Sequence, residues 1–284
     1  MMVEEISRLY RLLKWPEDPE SGEGRRRYAE ALERFRKALS HEWFSELLSK
    51  KRISIADVCG GTGIGGVALA KVMQEAGVEV ELTVIDLRKE ALKRAETLSE
   101  KELGKKAKTE LIDARELHSL KQSFDLALLY GYSTPHFDPW KMARLLASTS
   151  SSLRDEGLMI IEEQDRQYLI FYKKGYKDFL VEDVGPKRFL ISVHFGYDKT
   201  RGVFRRAIMD QFSGEGPMTL EVYFWSLADL MAMTWLFFED VDFLPYERSP
   251  FNGLVLAKRP REKLKPGSLK TPRVLEKEEI KDLD

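Results

Sequence analysis

The chain has 284 residues, 43% of them hydrophobic, enough for one large domain or one domain with an elaborated cap. A formal net charge of −1 gives it no general attraction to nucleic acid or anionic membrane. One cysteine excludes an intrachain disulfide framework and a Cys-rich metal site, and four scattered histidines without paired spacing point to no metal.

No apolar run reaches the roughly 18 residues that would span a bilayer. Glu4, Glu5 and Lys14 interrupt any signal-peptide profile, so a soluble, cytoplasmic protein is expected. Charged residues make up 33% of the chain, nearly balanced in sign, and Asn252 is the only asparagine. That composition follows the trend of proteins from hot environments, a thermophile's profile.

Residues 3–15 place Ile6, Leu9, Tyr10 and Leu13 on one helical face. Pro16, Pro19, Gly22 and Gly24 then break the chain. A second helix carries Tyr28, Leu32, Phe35 and Leu39, and a short third holds Trp43, Phe44, Leu47 and Leu48. These N-terminal helices serve either as packing against a sheet or as a lid. The Arg25-Arg26-Arg27 run among them reads as a solvated face.

Residues 53–56 are mostly apolar and end in Asp57 and a cluster of glycines; Val67, Leu69, Ala70, Val72 and Met73 follow with helical spacing. That is strand, glycine loop, helix. A β-rich run over 80–85 ends at Asp86, and 88–98 read as a helix with Ala91, Leu92 and Ala95 inward. A short strand over 109–112 ends at Asp113, and 124–129 form a strongly apolar strand. Asp138-Pro139 opens a helix, with an acid at the cap and proline at the first position, that runs to about Leu153. Residues 158–161 give the next strand. Such alternation predicts a parallel sheet covered on both faces.

The pattern then changes. Residues 189–197 and 202–212 are extended runs joined by the hairpin signal Asp198-Lys199-Thr200-Arg201, and 218–224 add a third antiparallel strand. Phe171, Tyr172, Tyr176, Phe195, Tyr197, Tyr223, Phe224 and Trp225 read as the core of this added layer. Ser226 to Asp229 has the form of a capping box, opening a helix to about Phe237. Residues 241–244 and 254–257 are closing strands, and a polar tail follows in which Leu275 and Ile280 are the docking candidates.

Glycine accepts φ > 0 and lets a ligand lie against the backbone, and a helix N-terminus presents unpaired N–H groups. A nucleotide-like ligand is therefore expected over residues 59–66. Gly61, Gly63 and Gly66 satisfy G-x-G-x-x-G, with Asp86 about 20 residues further on, as in a dinucleotide site. Asp57 separates the possibilities, because a carboxylate there would face a dinucleotide's pyrophosphate but suits a cofactor carrying positive charge. The stretch Asp57-Val58-Cys59-Gly60-Gly61-Thr62-Gly63 resembles motif I of the class I S-adenosylmethionine (SAM) methyltransferases. Cys59 stands where that family often has its first glycine.

The resemblance, carried over residues 54–258, implies an α/β, Rossmann-like three-layer sandwich. Its sheet would be mostly parallel and seven-stranded with an antiparallel last strand, joined by an inserted antiparallel hairpin cap and the N-terminal helices. The divisions would be a lid or packing segment at 1–50, a SAM-binding core at 51–165 and a substrate-binding cap at 166–225. The core sheet would be completed by 226–258, and a polar tail would occupy 259–284.

It also implies SAM as the cofactor, lying across the carboxyl ends of the strands. Cys59, Gly60, Gly61 and Gly63 would approach its methionine part, with Asp57 near the amino group, directly or through water. Asp86 would accept from both ribose hydroxyls. Leu87 would pack on the adenine face, Asp113 would take the adenine amino group, and the Ala114 N–H would reach a ring nitrogen. Tyr130 belongs with the cofactor side, at the start of the segment 130–137 that should flank the methyl group.

His136 is the candidate base or substrate anchor, since its ordinary pKa suits proton transfer near neutrality; Tyr132 and Ser133 are secondary candidates. Cys59, with no adjacent base or cation in the sequence, is not expected to be a nucleophile. The expected reaction is in-line transfer of a methyl group to a small or medium-sized acceptor, driven chiefly by orientation. An RNA or protein acceptor is the alternative, contacted by basic residues in 258–273 and by Arg201, Arg205 and Arg206. A non-catalytic SAM-binding scaffold is another.

Overall fold

The computed structural model describes residues 3–13, 15–214, 216–261 and 264–276. Three helices come first, α1 (Val3–Leu13), α2 (Gly22–Ala38) and α3 (Ser45–Ser49). The alternating part then runs β1 (Arg52–Val58), α4 (Ile64–Glu75), β2 (Glu79–Asp86), α5 (Lys89–Leu103), β3 (Lys108–Leu111), β4 (Phe124–Leu129), α6 (Pro139–Ser152) and β5 (Leu153–Gln164). Strands β6 (Phe179–Gly185), β7 (Arg188–Asp198), β8 (Val203–Asp210) and β9 (Met218–Val222) follow; then come α7 (Leu227–Trp235), β10 (Phe238–Tyr246), β11 (Ser249–Pro260) and a final turn, α8 (Arg273–Glu276). Of the two tail residues expected to dock, Ile280 lies outside the described residues and Leu275 is half-buried.

The main sheet has the order β10-β11-β5-β4-β1-β2-β3. Its pairs from β5 to β3 are parallel, and β11 runs antiparallel to both β5 and β10. The fold is thus α/β, Rossmann-like, with a mixed seven-stranded sheet. Strand side chains alternate between two apolar layers. Ile53, Ile55, Leu128 and Ile160 meet α2 and α4 on one face, whereas Ala56, Val58, Leu129 and Ile161 meet α6 and α7 on the other. Chain order reverses at β1, which has β2 on one side and β4 on the other, and that opens a crevice at the carboxyl ends of those strands.

The second sheet, β6-β7-β8-β9, is fully antiparallel. It has four strands where three were expected. Phe179–Gly185 reads FLVEDVG and is exposed over most of its length, so an edge position removes the inside–outside contrast on which strand recognition depends. Helix α1 packs on this sheet: Leu9 and Leu12 join Leu190, Ile208 and Met218 in a small apolar cluster, and Arg188 donates to the Leu12 carbonyl. The aromatics expected as the cap's core divide. Trp225 is fully buried, its Nε1 donating to Phe137 O at 3.0 Å, while Phe171, Tyr172, Phe195 and Tyr197 are exposed.

Candidate active site

The turn after β1 reverses direction through left-handed backbone at Cys59 (φ 56°), Gly61 (φ 57°) and Gly63 (φ 80°). Gly60 N donates to Ile85 O at 2.9 Å, tying the turn to β2, and Gly63 caps α4. Two glycines are needed for close approach. A Cβ on Gly60 or on Gly66 would lie 2.4 Å from the Asp57 Oδ2. Cys59 holds a conformation that costs a non-glycine residue about 1–3 kcal/mol.

Asp57 lies beneath this turn and not in the crevice. It shares a face with Ile55, is 1% exposed, and its Oδ2 accepts from Gly66 N at 3.0 Å. Among the described residues its Oδ1 has no hydrogen-bond partner, and burial pushes the carboxyl up to about 7. The Gly66 N–H and the Arg27 guanidinium offset part of that penalty. Where the sequence places Asp57 near an amino group, directly or through water, the structure shows its carboxyl supporting the turn.

Asp86 does border the crevice. Its Oδ2 accepts from Gly61 N at 2.8 Å, and its Oδ1 accepts from Arg88 N at 2.9 Å and Arg88 Nε at 3.1 Å. Arg88 is 7% exposed; its Nη1 reaches both Glu17 oxygens, at 2.7 and 2.9 Å, and its guanidinium lies 3.9 Å from the Tyr10 ring centroid. The Thr62 hydroxyl donates to the Glu17 carbonyl. The N-terminal segment is thereby fastened across the glycine turn, with α1 as a roof.

Two adjoining cavities lie under this roof. The larger, about 140 Å3, is lined by Leu87, Asp113, Ala114, Ser133, His136 and Phe137, with Ile6 and Tyr10 above. The smaller touches Gly60, Gly61, Thr62, Arg27, Tyr130 and Gly131, and both include Tyr10, Cys59, Arg88 and Ser133. Of the residues singled out from sequence, Asp57, Gly63 and Tyr132 line neither. Gly63 packs against Ala95, and Tyr132, itself at φ 61°, is pushed up to about 12 by burial. Asp113 caps the turn after β3 through Arg115 N at 2.9 Å and pairs with the Arg115 side chain, which holds its carboxyl below the usual range.

His136 faces the Tyr10 ring, centroid to centroid 6.4 Å. Burial, with Arg166 and Arg88 nearby, lowers it to about 4, so the imidazole is neutral at physiological pH. Burial also pushes the Cys59 thiol well above its ordinary value, which disfavours the thiolate. Tyr10, Glu17, Arg27 and Arg88 were not foreseen as site residues. Arg88, two residues beyond the acid that ends β2, carried the clearest signal.

These residues fit an adenosyl sulfonium in kind: an acid at the end of β2, an apolar and backbone-lined compartment for a nucleoside, and a polar compartment beside the glycine turn. Ligand clefts usually hold about 300–1,000 Å3, more than the larger cavity provides beneath Tyr10 and Arg88. Among the described residues no cluster of metal-binding side chains is present, and no helix is long and apolar enough to cross a membrane.

Residues 55–157 match the family model described as a methyltransferase domain. A search of curated sequences returns no match. Similar solved structures include a Pyrococcus horikoshii OT3 protein, 17% identical, covering 89% of this chain and 99% of that one with a TM-score of 0.60. An S-adenosylmethionine-dependent methyltransferase from Clostridium acetobutylicum is 16% identical, with 90% and 98% covered and a TM-score of 0.59. The CcbJ methyltransferase from Streptomyces caelestis is 12% identical, with 80% and 95% covered and a TM-score of 0.54. At these identities the likeness is one of fold. Taken with the glycine turn and the acid of β2, the match to the family model makes residues 55–157 a methyltransferase domain.

Proposed function

We propose that the acceptor is a small molecule, methylated in a cavity beneath α1, between the carboxyl end of β4 and the cap. The observation that carries this reading is cover by α1. Tyr10 and Ile6 lie over the larger cavity, and Phe137, Lys141 and Glu221 border it on the cap side, beside the nucleoside-type surfaces Leu87, Asp113 and Ala114. A polymer would need an open groove flanked by unpaired cations. The arginines considered for phosphate contact are instead engaged internally: Arg201 pairs with Asp138 and Glu221, Arg205 with Asp198 and Glu221, and Arg206 is 4% exposed and bonded to Ser192.

Bound SAM supplies a methyl group already activated by its sulfonium, transferable to an acceptor lone pair as the carbon–sulfur bond breaks. The chain's task is then to orient and to exclude water. Tyr10 and Phe137 keep the chamber dry. His136, neutral down to about pH 4, is too weak a base to take a proton from an ammonium or an alcohol at neutral pH. Its role is that of a hydrogen-bonding anchor, with Ser133 beside it, for a nucleophile that arrives with a free lone pair.

The test is incubation of the full chain with methyl-labelled SAM and a cell extract separated into small molecules, RNA and protein. Label in the small-molecule fraction is the expected result. Label confined to RNA or protein, or S-adenosylhomocysteine binding without any transfer, refutes the proposal.

A further inference from the structure

We propose that Arg27 is the receptor for the carboxylate at the amino-acid end of the cofactor, and so the residue that makes the site prefer a complete adenosyl amino acid to a bare nucleoside. The proposal rests on SAM being the cofactor. Arg25, Arg26 and Arg27 read alike in sequence, but the fold separates them. Arg25 and Arg26 are exposed, while Arg27 turns inward on the stripe of α2 that carries the buried Ala31 and Phe35.

There it lines the smaller cavity with Gly60, Gly61, Gly65 and Gly131. Its guanidinium lies 5.2 Å from the Trp15 ring centroid, and Nη1 makes a long hydrogen bond to Pro16 O, at 3.3 Å. Among the described residues it has no ion-pair partner, whereas its neighbours Arg34 and Arg88 are paired with Glu162 and with Glu17 and Asp86. Room has been kept for it. Gly131 takes φ 96°, and a Cβ there would stand 2.3 Å from Arg27 Nη2.

Ligand length fits this position. The larger cavity holds the nucleoside-type surfaces, Leu87, Asp113 and Ala114, and the smaller one lies on the far side of Cys59 and Ser133. A molecule spanning both therefore brings its nucleoside to one end and a small charged group to the other. At that second end stand a guanidinium and the start of α4, both favouring an anion. A guanidinium fork matches a carboxylate in two parallel hydrogen bonds.

The experiment is calorimetric titration of the full chain with S-adenosylhomocysteine, and with 5′-methylthioadenosine, which lacks the amino-acid end. Arg27→Gln is expected to weaken S-adenosylhomocysteine by about 10- to 100-fold while leaving 5′-methylthioadenosine unchanged. Arg27→Lys should recover part of the loss, and Arg25→Gln should match wild type for both ligands. An equal loss for both ligands, or no loss for either, overturns the assignment of Arg27. Wild-type protein that binds neither ligand would remove the cofactor assignment itself, and the proposal with it.

Discussion

Asp57 pays for its place beneath the glycine turn, and Asp57→Asn measures how much. The carboxyl is held at about 7 against an ordinary 3.8 because burial penalises the charged form. Between these two pH values the folded protein keeps a proton that the unfolded chain has released, so stability falls as pH rises through that window and is level above it. At about 1.4 kcal/mol for each unit of pKa, the penalty above pH 7 is about 4 kcal/mol. Asparagine keeps an oxygen to accept from Gly66 N but carries no charge. Allowing about half for the weaker hydrogen bond and imperfect fit, Asp57→Asn should be about 2 kcal/mol more stable than wild type at pH 8. For a chain of this size that is roughly 4–8 °C in melting temperature. The gain should shrink towards zero at pH 5. Thermal melts from pH 5 to 9 on both proteins check this. A difference independent of pH, or a variant less stable than wild type at pH 8, would refute the reasoning.

Three further outcomes are expected. Glu17→Gln removes the carboxylate that holds Arg88 to the N-terminal segment. Release of S-adenosylhomocysteine, followed by stopped-flow fluorescence of nearby Trp15, should accelerate several-fold; an unchanged rate would mean that the pair does not fasten the roof. Arg34→Met strands Glu162, which is 1% exposed and also bonded to Tyr246 and Gly131. Urea unfolding should show a loss of about 3–5 kcal/mol, largely restored when Glu162→Gln is added. Turnover should show no inflection near pH 6.5 from His136, which is already neutral above about pH 4. An inflection at pH 6–7 that His136→Gln abolishes would restore the imidazole as a titrating base.

The alternating part of the main sheet was legible because residues 53–58, 80–85 and 124–129 are mostly apolar and the helices between them keep clean helical spacing. The full length of β5 was not, since its first half contains the polar Arg154, Asp155 and Glu156, where its pairing with β4 shifts register. β6 escaped because both its faces meet solvent. In the site, the glycine turn and the chain position of Asp86 could be read directly, but which side of the sheet an acid faces could not be read from the motif. Strand alternation held that information, since Asp57 must share a face with Ile55 and so with α4. Helical spacing likewise held the orientation of Arg27, four residues before Ala31. What no local pattern contains is the meeting of Glu17 with Arg88, 71 residues apart.

Helix α1 belongs to two structures at once. Through Leu9 and Leu12 it is part of the four-stranded sheet's own core, and through Tyr10 it covers the larger cavity at the glycine turn. A helix so anchored cannot swing aside alone without tearing that small core, so the sheet must travel with it.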